Sequence, residues 1–397
     1  MSPINLIDQC RGKKIGFVLS GGVVRAAAWH LGVALALEEL GIHFVHHKNS
    51  SLKLPENSPF ISTYVGSSAG ALISTFLASG FGPHEIISAV FGGHEKIRQL
   101  KYSDMFYLRR PKIKTTGSYD FNPLKNMPLI TKTFMKPLYS LSGFFSTEGL
   151  RKYILDYYLP TDSFDELEAD LFIVATQLDH SRKVIFSKYN YPNTKFDSTA
   201  VYYTGFNISQ AAASSMSVPP FFSPYPIYNS VTKQVDYYID GEIRETLSHH
   251  VAIDNGCEVI INSWTHTPYH YHDEIGSLVH YGIPSILVQS FYLMIQKKII
   301  TERSANTTAQ DLINTIGDYM IGEKMTKKQI KEVTSILEKK LNYRSNIVFI
   351  DIFPDHHDYE LFFTSFFSLD KAQLTKIVRA GYKAAKLKFY SSPESKW

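Results

Sequence analysis

The sequence predicts an α/β fold with a mainly parallel central sheet, and three observations lead there. Short β-prone runs alternate with segments in which apolar residues recur at helical spacing along most of the 397 residues. Two glycine-bearing turns, Ser20-Gly21-Gly22 and Gly66-Ser67-Ser68-Ala69-Gly70, each stand between such a strand and such a helix. Hydrophobic residues make up 44% and charged residues 20%, the balance of an ordinary globular chain, which argues against disordered and fibrous classes. The length suits an elaborated enzyme core, read as one domain over residues 1–397.

Residues 14–20 form the first expected strand, and Trp29, Val33, Leu37 and Leu40 set a helix that Gly41 stops. The stretch 43–58 is polar, with Pro55 inside it and Pro59 after it, and reads as a surface excursion. Residues 60–65 form the next strand and 69–78 its helix, with Gly80 beyond the end; a second helix is expected over 83–99. From 101 to 145, Tyr102, Phe106, Tyr107, Phe121, Phe134, Tyr139, Phe144 and Phe145 interleave with Arg109, Arg110, Lys112, Lys114, Lys125, Lys132 and Lys136, and Asp104 and Asp120 are the only acids. This weakly periodic stretch reads as a lid or cap insertion, suited to an anionic membrane face or to a solvated loop whose rings pack on the core.

A helix over 146–158, capped by Ser146 or Thr147, is followed by strands at 171–176 and 184–186 around the turn Asp179-His180-Ser181-Arg182. Small residues then crowd 211–217 until Pro219 and Pro220 stop them, a composition that allows close backbone approach. The strand 235–239 empties into Asp240-Gly241-Glu242, and 258–262 gives one more. Helices over 283–300, 309–320 and 327–341 belong to a helical elaboration of the same domain at 274–345; a strand at 346–352 and a basic helix at 369–387 close the chain.

The formal net charge of +4 favours anionic surfaces and is far too small to argue for nucleic acid, which is not expected as a partner. Cys10 and Cys257 have no metal-ligand spacing and fit a reducing compartment. Residues 1–14 lack the apolar core and cleavage site of a secretory signal. The longest apolar stretch, 283–295, is broken by Pro284, Ser285, Gln289 and Ser290 and falls short of the ~20 residues of a spanning helix. The expectation is a soluble cytoplasmic protein that touches membranes from one side, although a protein exported without a standard signal would look the same.

Gly66-Ser67-Ser68-Ala69-Gly70 has the form Gly-x-Ser-x-Gly at a strand-to-helix turn, a nucleophile elbow that stands Ser68 at a helix N-terminus. There backbone N–H groups and the helix dipole stabilise an oxyanion. The glycine pair Gly21-Gly22 at the end of the first strand is either a tight βα turn or a second set of such donors. Asp240, followed by a glycine at a strand end, is either a turn residue or a general base. His266, His270 and His272 near Asp273 invite a metal reading, but Pro268 disfavours the helix that would align them, and no metal is expected.

In this order the three loops resemble the patatin-like phospholipases. That family carries Gly-Gly-Gly-x-Arg, Gly-x-Ser-x-Gly and Asp-Gly-Gly or Asp-Gly-Ala, against Gly21-Gly22-Val23-Val24-Arg25, the elbow at Ser68 and Asp240-Gly241-Glu242 here. Ala175-Thr176 and the run ending in residues 218–224 also look like that family, so the resemblance covers about residues 14–242. It implies a three-layer α/β/α fold with a helical or loop cap, and a Ser–Asp dyad with Ser68 as nucleophile and Asp240 as base. Gly21, Gly22 and Val23 would form the oxyanion hole, and Arg25 would hold the loop or meet a lipid phosphate. Implied, too, are a phospholipid or lysophospholipid substrate, a peripheral membrane surface, no cofactor, and room for a homo-oligomer.

Two positions depart from the pattern. Val23 replaces a third glycine, and the hole is expected to form if that residue keeps ordinary dihedrals, because a β-branched side chain disfavours φ > 0. Glu242 replaces a small residue and is expected to point to solvent; facing the site, it would raise the pKa of Asp240. Three other readings compete. A transacylase would pair Ser68 with a histidine, a Ser–Asp–His hydrolase would draw on His249, His250, His266, His356 or His357, and a non-catalytic relative would keep the fold for binding membranes or proteins.

Overall fold

The computed structural model describes residues 6–48, 54–55, 57–108, 127–133, 141–191, 199–230, 232–341, 343–355 and 357–390. The strands described are β1 (Ile15–Leu19), β2 (Ile61–Ser67), β3 (Tyr107–Leu108), β4 (Phe145–Ser146), β5 (Asp170–Gln177) and β6 (Arg182–Phe186). They continue with β7 (Ala200–Tyr203), β8 (Tyr225–Asn229), β9 (Gln234–Asp240), β10 (Val259–Ser263) and β11 (Val348–Ile352). The main sheet runs β11-β10-β1-β2-β5-β6-β7, with β9 and β8 joined at one end of β5. From β11 to β5 every pairing is parallel, whereas β6 and β9 run antiparallel to β5.

Alternation along the buried strands builds the layers. Phe17 and Leu19 enter one core with Tyr64, Val259 and Ile261, while Val18 enters the other with Val65 and Ile260. Both faces are therefore apolar, as a parallel sheet between two helical layers requires. The larger core is covered by the helices Val23–Glu39 and Ala69–Ala78, and the smaller by His249–Asp254. The result is a mixed α/β fold with a large, mainly parallel central sheet, as expected.

Some segments differ from the sequence expectation. The helix over 83–99 stops at Val90, because Phe91 caps it and Gly92 turns the chain at φ +77°. The two helices expected over 283–300 and 309–320 are one 41-residue helix, Gly282–Gly322. With the four residues before it, this helix is long and apolar enough to cross a membrane by length and composition. That corrects the reading of 283–295 as too short, because the helix runs unbroken through Pro284, Ser285, Gln289 and Ser290 and its apolar residues extend to Ile299 and Ile300. Of the lid at 101–145, the structure describes a short helix at Tyr102–Met105 and the pairing of β3 with β4. Arg109, Arg110, Lys112, Lys114, Asp120, Phe121, Lys125, Phe134, Lys136 and Tyr139 lie outside the described residues.

The helix Lys371–Tyr390 crosses Val23–Glu39 at unusually close range. A Cβ on Gly32 would fall 1.9 Å from the Val378 carbonyl oxygen, and one on Gly381 would fall 2.3 Å from that of Trp29. Backbone blocks the added atom in both cases, so the two helices would have to separate. Gly32→Val is therefore expected to destabilise the fold by about 3 kcal/mol through overpacking. Urea unfolding followed by circular dichroism measures this, and an unchanged midpoint would mean that the crossing is not tight.

Candidate active site

The turn from β2 into Ala69–Ala78 holds Ser68 at φ 52° and ψ −121°. Such a backbone is strained for a residue with a side chain and persists only where its surroundings fix it. Close packing does so here. A Cβ on Gly66 would lie 2.4 Å from the Gly70 carbonyl group, and one on Gly70 would lie 2.2 Å from the Leu19 carbonyl oxygen. The Ser68 amide donates to Ser215 Oγ at 2.8 Å, and the Ser215 hydroxyl donates to the Val174 carbonyl at 2.6 Å. Ser215 was not singled out from sequence. Its signal was the small-residue run, which forms the helix Ile208–Ser215 and brings that hydroxyl to the elbow.

Asp240 ends β9 opposite Ala175 of β5. Its amide donates to the Ser217 carbonyl at 3.0 Å, and its carbonyl accepts from Thr176 Oγ1 at 3.1 Å. The carboxylate is 1% exposed, lies beside Ser68, and accepts from the Glu242 amide at 2.9 Å. Burial pushes its pKa up to about 7, and the nearby Ser68 hydroxyl and the Glu242 amide hold it from rising further.

The donor loop departs from expectation twice. Val23 adopts φ 58°, so the β-branched residue takes the left-handed backbone of the glycine it replaces rather than ordinary dihedrals. Its neighbours fix it: the Val24 amide donates to Phe366 O at 3.1 Å, and Gly22 stands at φ 126°. Glu242 does not point to solvent. It turns inward, and its Oε1 accepts from the Gly21 amide at 2.7 Å and from the Ser67 hydroxyl. Burial first, and the nearby Asp240 charge second, raise its pKa well above the usual carboxyl range. The Gly21 N–H, expected as an oxyanion donor, is therefore taken by a side chain. Gly22 and Val23 head the helix, where their N–H groups have no intrahelical acceptor.

Arg25 is 1% exposed, and its Nη1 donates to Leu361 O at 2.7 Å while Phe366 stacks 4.2 Å from its guanidinium carbon. Of the two roles expected, the geometry fits loop holding rather than contact with a lipid phosphate. Burial lowers its pKa to about 9.

The candidate histidines are spread apart. His249 pairs with Glu302, His250 lies 3.5 Å from Glu245, and His357 sits in a turn after β11. His356 lies outside the described residues. His266 Nδ1 is 3.9 Å from Glu242 Oε2, and burial lowers its pKa to about 3, so it is neutral. Its ring packs edge-on against Tyr292, whereas His272 lies against Tyr359. Among the described residues the group able to hold a metal is a different one, Glu38, His46 and His47, at the far end of the helix Val23–Glu39. There His46 Nε2 lies 2.8 Å from Glu38 Oε1, and His47 Nδ1 accepts the Phe44 amide, which leaves its proton on Nε2, the atom facing Glu38.

Ser68 opens onto a cavity of about 1020 Å³, counted with its open mouth. Val23, Ala27, Leu31, Leu72, Phe76, Met105, Leu150, Met216, Phe222 and Phe367 line it, so beyond the serine its wall is almost wholly apolar.

Carboxyls whose pKa rises on folding contribute stability below their unfolded pKa and lose it as pH rises through the folded value. For Asp240 that window runs from about 3.8 to about 7. Keeping it ionised costs on the order of 4 kcal/mol. Asp240→Asn is therefore expected to melt higher than the parent at pH 8, with the gap closing as pH falls toward 4. Thermal melts across that range test it, and a gap independent of pH would refute the buried-carboxylate account.

A search of curated proteins returned no match to this chain. The sequence model of the patatin-like phospholipases matches residues 17–253, which carry the donor loop, the elbow and Asp240. That segment is more than half of the 397 residues, and with its α/β sheet the chain belongs to the patatin-like phospholipase family of lipid acyl hydrolases.

Proposed function

We propose that the protein hydrolyses carboxylic esters of phospholipids or lysophospholipids through an acyl-Ser68 intermediate, with Asp240 as the base. The observation that carries this reading is a buried carboxylate beside Ser68, whose elbow backbone holds it at the mouth of an apolar cavity. A carboxylate titrating near neutrality suits proton transfer at that pH better than an ordinary aspartate. The acyl chain enters the cavity, Asp240 takes the hydroxyl proton, and Ser68 Oγ bonds to the carbonyl carbon. Collapse of the tetrahedral adduct breaks the ester C–O bond, and the proton on Asp240 passes to the departing alcohol. Water then attacks the acyl-serine with Asp240 again as base, releasing the fatty acid and restoring Ser68.

The oxyanion is held by the N–H groups of Gly22 and Val23 and, once Glu242 swings away, by that of Gly21. Glu242 thus keeps one donor occupied in the resting site. Cys10 and Cys257 are free and buried, which fits a reducing compartment, and we assign the enzyme to the cytoplasmic side of a membrane.

The test is product analysis on phospholipid and lysophospholipid vesicles beside fluorophosphonate labelling. Ser68→Ala is expected to lose labelling and to lower kcat by roughly 10³-fold or more, and Asp240→Asn to act similarly. In the parent, kcat/KM should rise with pH through about 7, as Asp240 ionises. Glu242→Ala, which frees the Gly21 donor, is expected to raise kcat/KM by roughly tenfold. Activity that survives Asp240→Asn but disappears with one histidine would replace the dyad by a triad.

A further inference from the structure

The helix Gly282–Gly322 begins some thirty residues beyond the segment shared with the family, and its polarity is inverted. A surface helix ordinarily turns a charged face to water. Here Ile283, Ile286, Leu287, Phe291, Leu293 and Met294 are each between 44% and 72% exposed. No acidic residue occurs between 283 and 301, and the exposed pair Lys297 and Lys298 follows the apolar stripe. The opposite face is seated on the protein. Gln289 exchanges two 2.9 Å hydrogen bonds with the backbone of Tyr269, and Tyr292 is 4% exposed. A bare stripe of this extent is what water-soluble surfaces avoid.

We propose that this stripe is the protein's membrane-docking element, lying in the headgroup layer of an anionic bilayer with Lys297 and Lys298 on its phosphates. Charge selects that occupant: an apolar row followed by cations and free of acids complements an anionic lipid surface. Position supports it as well, because the Tyr292 ring lies 5.6 Å from the Arg25 guanidinium and 5.2 Å from the His266 ring, so the helix sits beside the donor loop. Spanning the bilayer would require Gln289 and Tyr292 to leave the core. The inference rests on the lipid-ester reading for its purpose, but its test does not depend on turnover.

The experiment uses the full chain in vesicle flotation with phosphatidylcholine alone or mixed with phosphatidylglycerol. The parent should float with the mixed vesicles. Leu287→Glu with Phe291→Glu should lower the bound fraction at least tenfold, and Lys297→Gln with Lys298→Gln should remove the preference for the anionic mixture. All of these side chains are exposed, so hydrolysis of a soluble short-chain ester should stay unchanged and report that the fold is intact. Because both native thiols are buried, Met294→Cys can be labelled selectively with a polarity-sensitive dye, whose emission should shift blue on vesicles. Flotation indifferent to the glutamates overturns the proposal. So does a lipid-free dimer that the same glutamates dissociate while vesicle binding persists, since the stripe would then be an interface between copies. A dye at residue 294 reachable only from the vesicle interior would replace lying by spanning. If flotation behaves as expected but no ester is cleaved, the hydrolase reading fails and the docking element stands.

Discussion

Two carboxyl groups set beside the elbow, one buried and one largely so, are the constraint around which this site is arranged. Asp240 and Glu242 have one residue between them, the first 1% exposed and the second with 13% of its side chain exposed, and among the described residues neither is paired with a lysine or arginine. A buried acid without a cation keeps its proton longer. The closest basic side chain of the donor loop, Arg25, is turned away to the carbonyl of Leu361. The positive charge that would return Asp240 to an ordinary acid is thus spent on holding backbone. What remains to oppose burial are two neutral donors, the Ser68 hydroxyl and the Glu242 amide. They leave the carboxylate basic enough to accept a proton near pH 7.

The same site concentrates backbone strain. Ser68 and Val23 both take φ above +50°, and Gly22 between the first strand and Val23 stands at φ 126°. Each non-glycine residue in such a conformation costs on the order of 1–3 kcal/mol. The surroundings offset this with packing that leaves the chain no alternative, because Gly70 touches the end of β1 and Ser215 ties the elbow amide to β5. Flanking strands with apolar faces on both sides fix the positions from which these contacts are made. Elbow, donor loop and Asp240 are three separate pieces of chain, and the sheet brings them to one place.

The elbow was legible because its determinants are local: a β-prone run, two glycines and an apolar helix within about twenty residues. The helix Ala69–Ala78 and the strand at β1 followed from periodicity alone. Asp240 was not legible in that way, since Asp-Gly is foremost a turn and only the order of three motifs distinguished it. Glu242 was misplaced because glutamate belongs at the surface by default, and the partners that draw it inward, the Gly21 amide and the Ser67 hydroxyl, lie more than 170 residues away in sequence. Val23 failed for a similar reason: its intrinsic preference is overruled by a bond from Val24 to Phe366. The long helix was cut in two because Asn306, Thr307 and Thr308 are poor helix formers, a weak local signal that continuation on both sides overrode.

Those distant partners give the last third of the chain a role in the site. Phe366 O accepts the Val24 amide, Leu361 O accepts Arg25, and the rings of Phe366 and Tyr292 flank the same guanidinium. The Phe362 ring packs at a tilt against Tyr269 and edge-on against Tyr292, and Phe367 reaches the cavity that opens at Ser68. The strained turn at Val23 is thus held from one side by the sheet and from the other by a segment that lies outside the family's shared region. That segment is in turn pinned by the helix whose apolar face is exposed. Where a third glycine would relax the loop by its own flexibility, this chain uses a valine and fixes it from outside. The valine also turns an apolar side chain into the cavity wall, which a glycine cannot do.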